Sequence, residues 1–373
     1  MIITPRGIEH NTMRTHVTAQ QRRHRVVVAL TLAAIVTLLG VLVRPAPPTR
    51  STVVTGDAAL AARVRPYLQG ALDRVSVATI DGDTVTYANF GANDDTEYEI
   101  GSITKTFTAL LLADAIARGE VTADTRVGKL LPLAGSSVAD VTLAELASHR
   151  SGLPRQSTRL RDVVPFDLRY LANRDPFVQD AAGVIAQARA TPLRTRGTVS
   201  YSNLGMALLG QALASASRMD YAQLLQERIF SPLGMRASSI PVTAEHLPDD
   251  VPTGYSVGGK HAAPWTMNGT APAGGIRSTA ADMVRYARAL LDGTAPGIDA
   301  LTPRWEFGTQ TIGYAWVTRQ KHGQTVTWHT GETGGFASML VLERANHRAV
   351  IILANTSEAP AYAAGMKLIG ERP

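Results

Sequence analysis

Apolar positions in residues 102 to 118 have the spacing of a mostly buried helix. After Lys105, apolar side chains recur three and four positions apart, which fits a helix better than a strand. They are Phe107, Leu110, Leu111, Leu112, Ala115 and Ile116. Gly119 follows Arg118, and glycine commonly ends a helix. The spacing therefore predicts a helix from about Ser102 to Arg118.

The same periodicity predicts helices through the middle of the chain. Between residues 120 and 265, helical spacing dominates in "TLAELASHR", "AAGVIAQARA", "LGMALLGQALASAS" and "YAQLLQERIF". Another helix is predicted in "TAADMVRYARALLDG", capped by Thr279 and ended by Gly293. A final helix is expected near residues 358–370.

Strand patterns lie on both sides of this helical region. "RVSVATIDGDTVTYANFG" alternates and turns at Asp81, Gly82 and Asp83, which predicts a β-hairpin. Strand patterns return in "IGYAWVTRQ", "TVTWHTG", "GFASMLVLER" and "RAVIILANT". The predicted fold class is α/β (α+β): an antiparallel β-sheet flanked by helices and built from both chain ends, with an inserted helical subdomain.

The N-terminal region has a membrane-type pattern. Residues 26–43 are 18 residues without a charge, and they follow "RRHR". That length suits a short membrane span and exceeds most signal-peptide cores. The following "RPAPPTRST" is Pro-rich and contains no A-x-A cleavage site. We predict a basic cytoplasmic tail (1–25), a transmembrane anchor or signal segment (26–43), a Pro-rich linker (44–58) and one large globular domain (59–373).

This organisation places the domain outside the cytoplasm, because positive charge before an apolar segment keeps the N-terminus inside. We expect a single-pass protein of the cell membrane, with a secreted protein after signal cleavage as the alternative.

The sequence pI near 9.7 does not indicate a nucleic-acid-binding surface. Residues 1–50 hold seven arginines and one acidic residue, Glu9. Removing these eight charges from 37 basic and 31 acidic residues leaves 30 of each for residues 51–373. The domain is formally neutral, so we predict no nucleic-acid partner.

Several catalytic classes are excluded or disfavoured by composition and motif context. The chain contains no cysteine, which rules out disulfides, thiolate nucleophiles and Cys-ligated zinc. The nine histidines show no H-x-x-x-H spacing, so we predict neither a metal nor another cofactor. "GYSVG" around Ser256 fits a nucleophile elbow, but that elbow must lead into a helix, whereas glycines and prolines follow here. The overlapping "GYSVGGKH" has His261 where a phosphate loop needs Ser or Thr.

Ser102 and Lys105 form an S-x-x-K pair at the start of the first predicted helix. Residues three apart share a helix face, so the hydroxyl and the amine can meet. A serine hydroxyl needs a base to become a nucleophile, and a lysine in a partly dry site can lose its proton and act as that base. The same pair also fits a capping serine followed by a lysine whose charged end reaches solvent. This short stretch alone does not decide between the two interpretations.

Two later motifs change this balance. "VSYSNLG" contains Tyr201 and Asn203, and "WHTGETGGF" contains His329, Thr330 and Gly331. Taken singly, they fit a half-buried phenol, a helix cap and a structural histidine. S-x-x-K, Y-x-N and [KH]-T-G in this order resemble the serine β-lactamase and penicillin-binding-protein superfamily, specifically its class C β-lactamase and DD-carboxypeptidase branch. The likeness extends over about residues 60 to 370 and includes "LASHRSGLP", "IFSPLGM" and "AGGIRSTAADMVRYARALL".

The resemblance implies a set of roles. Ser102 would be the nucleophile that forms an acyl-enzyme, while Lys105 and Tyr201 share its proton as a coupled pair. The backbone N–H groups of Ser102 and Glu332 would form the oxyanion hole. The residues implied in substrate binding are Asn203, His329, Thr330, Gly331 and Gln156. Asn203 would bond both the substrate's acyl-side amide and Lys105.

His329 and Glu332 limit what the resemblance implies about substrate. Class C β-lactamases usually have lysine where this chain has His329, and a histidine is only partly protonated near neutral pH. We expect protonated His329 to hold a substrate carboxylate, with Glu332 opposing it.

The expected function is hydrolysis of a β-lactam or a D-alanyl peptide of the cell wall by a monomeric enzyme. A related esterase or D-amino-acid amidase and a penicillin-binding sensor with little turnover are the alternatives.

Overall fold

The computed structural model describes residues 19–42, 51–68, 73–248, 251–321, 323–357 and 360–370. The chain divides into two compact units, residues 1–46 and residues 47–373.

The N-terminal unit contains one described helix, α1 (Ala19–Leu42). Within it, none of the residues of Arg23–Gly40 is buried, and the segment is long and apolar enough to cross a membrane. A signal sequence meets the same criteria of length and composition, so the helix is compatible with both alternatives. The anchor and the division of the chain into four segments remain predictions.

The second unit contains short and long strands from both ends of the chain. They are β1 (Val54–Gly56), β2 (Val75–Asp81), β3 (Thr84–Phe90), β4 (Tyr98–Glu99), β5 (Gly254–Tyr255), β6 (His261–Ala262), β7 (Arg277–Ser278), β8 (Trp305–Phe307), β9 (Gln310–Ile312), β10 (Val317–Lys321), β11 (Gln324–Glu332), β12 (Ala337–Glu343) and β13 (Arg348–Ala354).

The helices of this unit lie mostly between β4 and β8 in the sequence. They are α2 (Ala58–Val64), α3 (Thr104–Ala117), α4 (Leu143–Ala147), α5 (Leu160–Leu171), α6 (Ala181–Arg189), α7 (Asn203–Ser217), α8 (Tyr221–Leu225), α9 (Ser231–Leu233), α10 (Ala280–Asp292) and α11 (Ala361–Gly370). A π-helical turn, Gln226–Phe230, joins α8 to α9.

The main sheet is antiparallel and has the strand order β1-β3-β2-β13-β12-β11-β10-β9-β8. β2 and β3 pair along their whole length, and the last pair before the turn is Asp81 with Thr84. This pairing confirms the predicted hairpin. β13 pairs with β2 from residue 348 to residue 354, so the last strand of the chain lies beside one of the first. The sheet is therefore built from both chain ends, as the sequence predicts.

Both faces of the sheet are covered. In β13, Val350, Ile352 and Ala354 pack on the side of α2 and α11, whereas Ile351 and Leu353 pack into the larger core on the other side. A strand that is buried on both faces reads as a continuous apolar run, as "AVIILA" does. These features confirm the predicted fold class: helices flank an antiparallel sheet, and α3 to α9 form the inserted helical region.

The predicted helix at residues 102 to 118 differs at its start. A 3₁₀ turn, Gly101–Ile103, precedes α3, so Ser102 lies in that turn and not in the α-helix. The helix over residues 280–292 agrees with its predicted cap at Thr279 and its end at Gly293. Strands β8 and β9 have three residues each. An alternating pattern cannot be recognised over so few residues, so the sequence did not predict these strands.

Candidate active site

Two close backbone contacts hold the turn that carries Ser102 against the end of β11. Gly101 has φ +51°, and a Cβ at this position would lie 2.6 Å from the Glu332 nitrogen. A Cβ on Gly331 would lie 1.9 Å from the Ile100 carbonyl oxygen. Glycine at both positions therefore lets the β11 backbone approach Ser102 more closely than any side chain would allow.

Lys105 is directed at Ser102 from the first turn of α3 and is fully buried. Its Nζ lies 2.9 Å from Ser102 Oγ and donates a second hydrogen bond of 2.5 Å to the Ala273 carbonyl. Burial, together with the positive charge of Arg155, lowers the pKa of Lys105 well below its usual value. A buried amine with this shift is able to hold its lone pair at neutral pH, as a general base requires.

Tyr201 completes a three-residue cluster around the serine hydroxyl. Its phenol bonds to Ser102, and its ring centre lies 4.9 Å from Lys105 Nζ. Burial raises the pKa of Tyr201 to about 12, although the bond to Ser102 and the charge of Arg155 oppose that rise. The phenol is therefore protonated at neutral pH and can donate a proton.

Asn203, the first residue of α7, faces the same cluster and is nearly buried. Among the described residues, its side-chain Oδ1 has no hydrogen-bond partner. The expected bond between Asn203 and Lys105 is therefore absent, because the lysine bonds to Ser102 and the Ala273 carbonyl instead. An unpaired buried carbonyl oxygen is costly, and a ligand N–H group can satisfy it.

His329 lies in β11 with 5% of its surface exposed. Its Nδ1–H donates a 2.6 Å hydrogen bond to the Thr330 carbonyl, and its ring centre lies 6.4 Å from that of Tyr201. Burial is the main cause that lowers the pKa of His329 to about 3, and Lys105 lowers it further when its amine is protonated. The imidazole is therefore neutral near pH 7, which differs from the expectation that a protonated His329 holds a carboxylate.

The backbone N–H of Glu332 is directed away from the neighbouring strand β12. Glu332 pairs with Ala337, and the next residue, Thr333, donates a 2.9 Å hydrogen bond to the Phe336 carbonyl. Hydrogen-bonded and non-bonded pairs alternate along an antiparallel ladder, so Glu332 belongs to a non-bonded pair. Its N–H faces the Ser102 turn, where the N–H of Ser102 also lacks an intrahelical acceptor because it begins a helical turn.

A cleft of about 290 Å³ opens in front of Ser102. Three further predicted residues, Gln156, Asn203 and Glu332, line this cleft beside Ser102. The opposite wall is aromatic and comes from α5 and the segments that pack on it; it consists of Phe166, Tyr170, Phe177 and Trp265. Lys105 and Tyr201 lie behind Ser102, whereas Thr330 and Gly331 contribute mainly through the backbone of β11.

A buried ion-pair group supports the floor of the cleft below Ser102. Arg277 in β7 is fully buried and bonds to Glu97 at 2.6 Å and to Glu99 at 3.0 Å. Glu99 also accepts a 2.8 Å bond from the Trp265 backbone N–H. This group joins the segment before Ser102 to the aromatic wall.

Sequence reasoning did not single out three residues of this site. Ala273 contributes only its carbonyl oxygen, and no side-chain pattern reports a carbonyl. The His149 ring packs 4.6 Å from the Tyr201 ring, and its Nδ1 accepts a 3.2 Å bond from the Ser202 N–H. The guanidinium of Arg155 lies 5.6 Å from the Tyr201 ring centre. His149 and Arg155 lie in "LASHRSGLP" and directly after it, a segment that already resembled the family.

Ser256 is separate from this cluster, as predicted. It follows strand β5 in a tight turn, where its N–H donates a 2.8 Å bond to the Lys260 carbonyl. The chain then enters β6 and not a helix, so the nucleophile-elbow geometry is not formed.

Comparison with known proteins assigns the class. The family model described as Beta-lactamase matches residues 60–369, and the chain belongs to that family. The predicted resemblance to the serine β-lactamase and penicillin-binding-protein superfamily is therefore confirmed, and so is the class of serine hydrolases.

Individual relatives share this family across much of the chain. Penicillin-binding protein 4 of Amycolatopsis lactamdurans is 28% identical over 312 residues, which cover 74% of this chain and 77% of that protein. A β-lactamase of Escherichia coli strain K12 is 27% identical over 304 residues, covering 70% and 75% respectively. Beta-lactamase-like protein 2 of Dictyostelium discoideum is 31% identical over 220 residues, but the match spans only 38% of that protein.

Solved structures share the fold at lower identity. A β-lactamase/D-alanine carboxypeptidase from Pseudomonas syringae aligns with a TM-score of 0.71 and 20% identity, covering 85% of this chain and all of that chain. A D-stereospecific amidohydrolase from a Streptomyces species aligns with a TM-score of 0.70 and 23% identity, covering 82% and 97%. These two likenesses support the fold and carry no substrate assignment.

Proposed function

We propose that the protein hydrolyses an amide of the β-lactam or D-alanyl-D-alanine type through an acyl-enzyme on Ser102. The observation that carries this proposal is the contact of 2.9 Å between Ser102 Oγ and the Nζ of a fully buried lysine. A capping serine with a solvent-reaching lysine would leave that amine exposed. Burial of the amine beside the hydroxyl instead favours proton transfer between them.

Acylation follows from the positions of the three side chains. Neutral Lys105 accepts the Ser102 proton while Oγ attacks the carbonyl carbon of the substrate. The negative charge on the carbonyl oxygen is stabilised by the N–H groups of Ser102 and Glu332, and one such donor typically contributes about 3 kcal/mol. Tyr201, as a protonated phenol, donates to the leaving nitrogen when the amide C–N bond breaks. Proton exchange within the coupled pair then returns it to its starting state.

Deacylation uses the same groups in the reverse roles. A water molecule takes the place of the leaving amine and gives a proton to the Lys105–Tyr201 pair. Its oxygen attacks the acyl carbon, and Ser102 Oγ regains a proton when the ester bond breaks. A low rate of this second step would give a penicillin-binding sensor, which acylates with little turnover.

Substrate binding uses the two walls of the cleft. The unpaired Oδ1 of Asn203 is suited to accept the N–H of an acyl-side amide, and Gln156 lies beside it. The backbone of Thr330, Gly331 and Glu332 offers a strand edge on the other side. The aromatic wall of α5 and Trp265 suits an apolar acyl group.

The neutral state of His329 favours a second candidate, an amide or ester of a D-amino acid without a carboxylate at that position. Burial removes the charge that a carboxylate would need from β11. The D-stereospecific amidohydrolase from Streptomyces shares this fold. We retain the β-lactam or D-alanyl type as the first candidate and this amidase or esterase as the second.

The location and assembly of the enzyme are also proposals. The helix Arg23–Gly40 supports either an anchor that holds the domain outside the cell membrane or a removed signal segment. Mapping the N-terminus of the mature protein in membrane and soluble fractions decides between them, since a soluble product that begins near residue 45 to 55 would contradict the anchor. Size-exclusion chromatography with light scattering tests the proposed monomer.

Three substrates followed over time test the function itself. A fluorescent penicillin reports acylation, a chromogenic cephalosporin reports turnover of a carboxylated amide, and a neutral D-amino-acid ester reports the second candidate. We expect penicillin labelling and steady cephalosporin hydrolysis. Ester hydrolysis alone would move the assignment to the second candidate, and a labelling burst without hydrolysis would indicate the sensor.

A further inference from the structure

The charged and titratable groups around Tyr201 come from three parts of the fold. They are Lys105 in α3, His149 and Arg155 in the segment between α4 and α5, and His329 in β11. Burial lowers the pKa of Lys105, of His149 and of His329. Two acidic residues, Asp167 and Glu332, also line the cleft, and the charge of Arg155 acts on Glu332. Arg155 is the member of this group that keeps its positive charge at every accessible pH, because guanidinium does not lose its proton in proteins.

The backbone of Arg155 is fixed directly beside the site. Its carbonyl oxygen accepts hydrogen bonds from the N–H groups of Asn203 and Leu204, at 3.0 and 3.2 Å. Its guanidinium stands 5.6 Å from the Tyr201 ring centre and lines the cleft with Ser102. The charge of Arg155 acts on the nearby Glu332 carboxyl, where it opposes the rise in pKa that burial causes. Within the described part of the chain, none of the ion pairs closer than 4 Å involves Arg155. Its charge therefore acts on Lys105 and Tyr201 as well as on the Glu332 carboxyl.

We propose that Arg155 supplies the positive charge that keeps the Lys105–Tyr201 pair ready to accept the Ser102 proton. The neutral His329 on the opposite side of Tyr201 does not provide this charge. Arg155 is a positioning residue in this account, since its charge acts through the pair and not on the bond that breaks. The inference rests on the proposed function, because it assigns a role within that mechanism.

The physical effect has a definite sign. A nearby cation disfavours protonated lysine and favours phenolate, so it lowers the pKa of both members of the pair. Because the guanidinium stands 5.6 Å from the Tyr201 ring centre in a cleft open to solvent, the expected displacement of the kinetic pH profile is about one pH unit. Loss of the charge should move the acidic limb of the kcat/KM profile upward by about one pH unit. Below that limb the rate should fall about tenfold for every substrate.

A role in holding a substrate carboxylate would give a different result. In that case the loss would fall on KM, would be confined to carboxylated substrates and would leave the pH of the acidic limb unchanged. Comparing a neutral ester with a carboxylated amide in the same variants therefore separates the two roles.

The test uses Arg155→Gln, Arg155→Lys and the control Arg161→Gln in the full chain. Arg161 lies on α5 with 67% of its side chain exposed and is not part of the catalytic cluster. We expect the upward shift of the acidic limb in Arg155→Gln for both substrates, a smaller shift in Arg155→Lys, and no shift in Arg161→Gln. An unshifted limb in Arg155→Gln, a loss limited to KM of the carboxylated substrate, or an equal shift in Arg155→Lys would each overturn the proposal.

Failure of this inference is distinguishable from failure of the proposed function. If the unmodified protein is not acylated at Ser102 by any probe, the function itself is wrong. If it is acylated but Arg155→Gln keeps the original pH profile, only the role of Arg155 is wrong. Because Arg155 makes its structural bonds through its carbonyl oxygen, Arg155→Gln retains them, and an unchanged thermal midpoint would verify that the variant folds.

Discussion

The two walls of the cleft differ in how completely their side chains are buried. On the wall behind Ser102, Lys105 is fully buried and His329 is nearly so, and both have shifted pKa values. On the facing wall, Phe177 and Trp265 are buried, but Phe166 and Tyr170 lie on α5, none of whose twelve residues is buried. Desolvation shifts pKa values only where water is excluded. We infer that one wall performs the chemistry and that the other wall contacts the substrate.

The largest effect should come from the buried wall. Lys105→Met removes the amine that we propose as the acceptor of the Ser102 proton and keeps most of the apolar volume. We expect the acylation rate to fall about 10²- to 10⁴-fold, the usual contribution of a positioned general base. Stopped-flow labelling with a fluorescent penicillin measures this rate. Ser256→Ala is the control and should leave it unchanged; acylation at the original rate in Lys105→Met would contradict the proposed base.

The ion-pair group below Ser102 should dominate stability. Arg277→Met leaves Glu99 buried without its main partner, and breaking a buried pair typically costs about 3–5 kcal/mol. The exposed pair of Arg126 and Asp140, 2.9 Å apart, provides the matched control. Arg126→Met should cost at most about 1 kcal/mol. Urea unfolding measures both, and equal losses would show that the burial of Arg277 does not determine its contribution.

Acid sensitivity should report the neutral state of His329. Its folded pKa, about 3, lies below the unfolded value near 6.5, so the unfolded chain binds the extra proton first as pH falls. The contribution of neutral His329 to the free energy of unfolding is complete above pH 6.5 and is lost progressively as the pH falls from 6.5 to 3. His329→Gln should remove this loss, a difference of roughly 2 kcal/mol between pH 7.5 and pH 5. Parallel stability curves for the two proteins would mean that His329 titrates normally.

The same histidine makes a kinetic prediction for carboxylated substrates. Because His329 is neutral throughout, their KM should not rise between pH 5.5 and 8.5 relative to that of a neutral ester. A rise confined to the carboxylated substrate, centred near pH 6.5, would restore the original expectation that protonated His329 holds the carboxylate.

The smallest effect should come from the exposed face of α5. Leu168 is 63% exposed, and Leu168→Ser should change the free energy of unfolding by no more than about 0.5 kcal/mol. Phe166, on the same helix, lines the cleft. Phe166→Ala should instead raise KM for substrates with an apolar acyl group. A loss of stability in Leu168→Ser similar to that in Arg277→Met would contradict the comparison between the walls.

The sequence predicted the features of the fold and site that follow local patterns, but not those that depend on tertiary packing. The Ser102, Tyr201 and His329 motifs combine fixed spacings with chemically unusual residues, so their order indicated the family and the fold. The continuous apolar run of β13 and the cap at Thr279 follow local patterns that were equally readable. The carbonyl of Ala273 and the proximity of Arg155 to Tyr201 depend on tertiary packing, which no local pattern encodes. The neutral state of His329 likewise depends on burial, and a motif does not report burial.

The identity of the residue that becomes acylated tests the central claim most directly. Intact-mass spectrometry of the protein incubated with a penicillin, followed by peptide mapping, locates the adduct. We predict one added penicilloyl mass on the peptide that contains Ser102 and none in a Ser102→Ala variant that retains its thermal midpoint. An adduct on Ser256, or an adduct that persists in Ser102→Ala, would contradict the account.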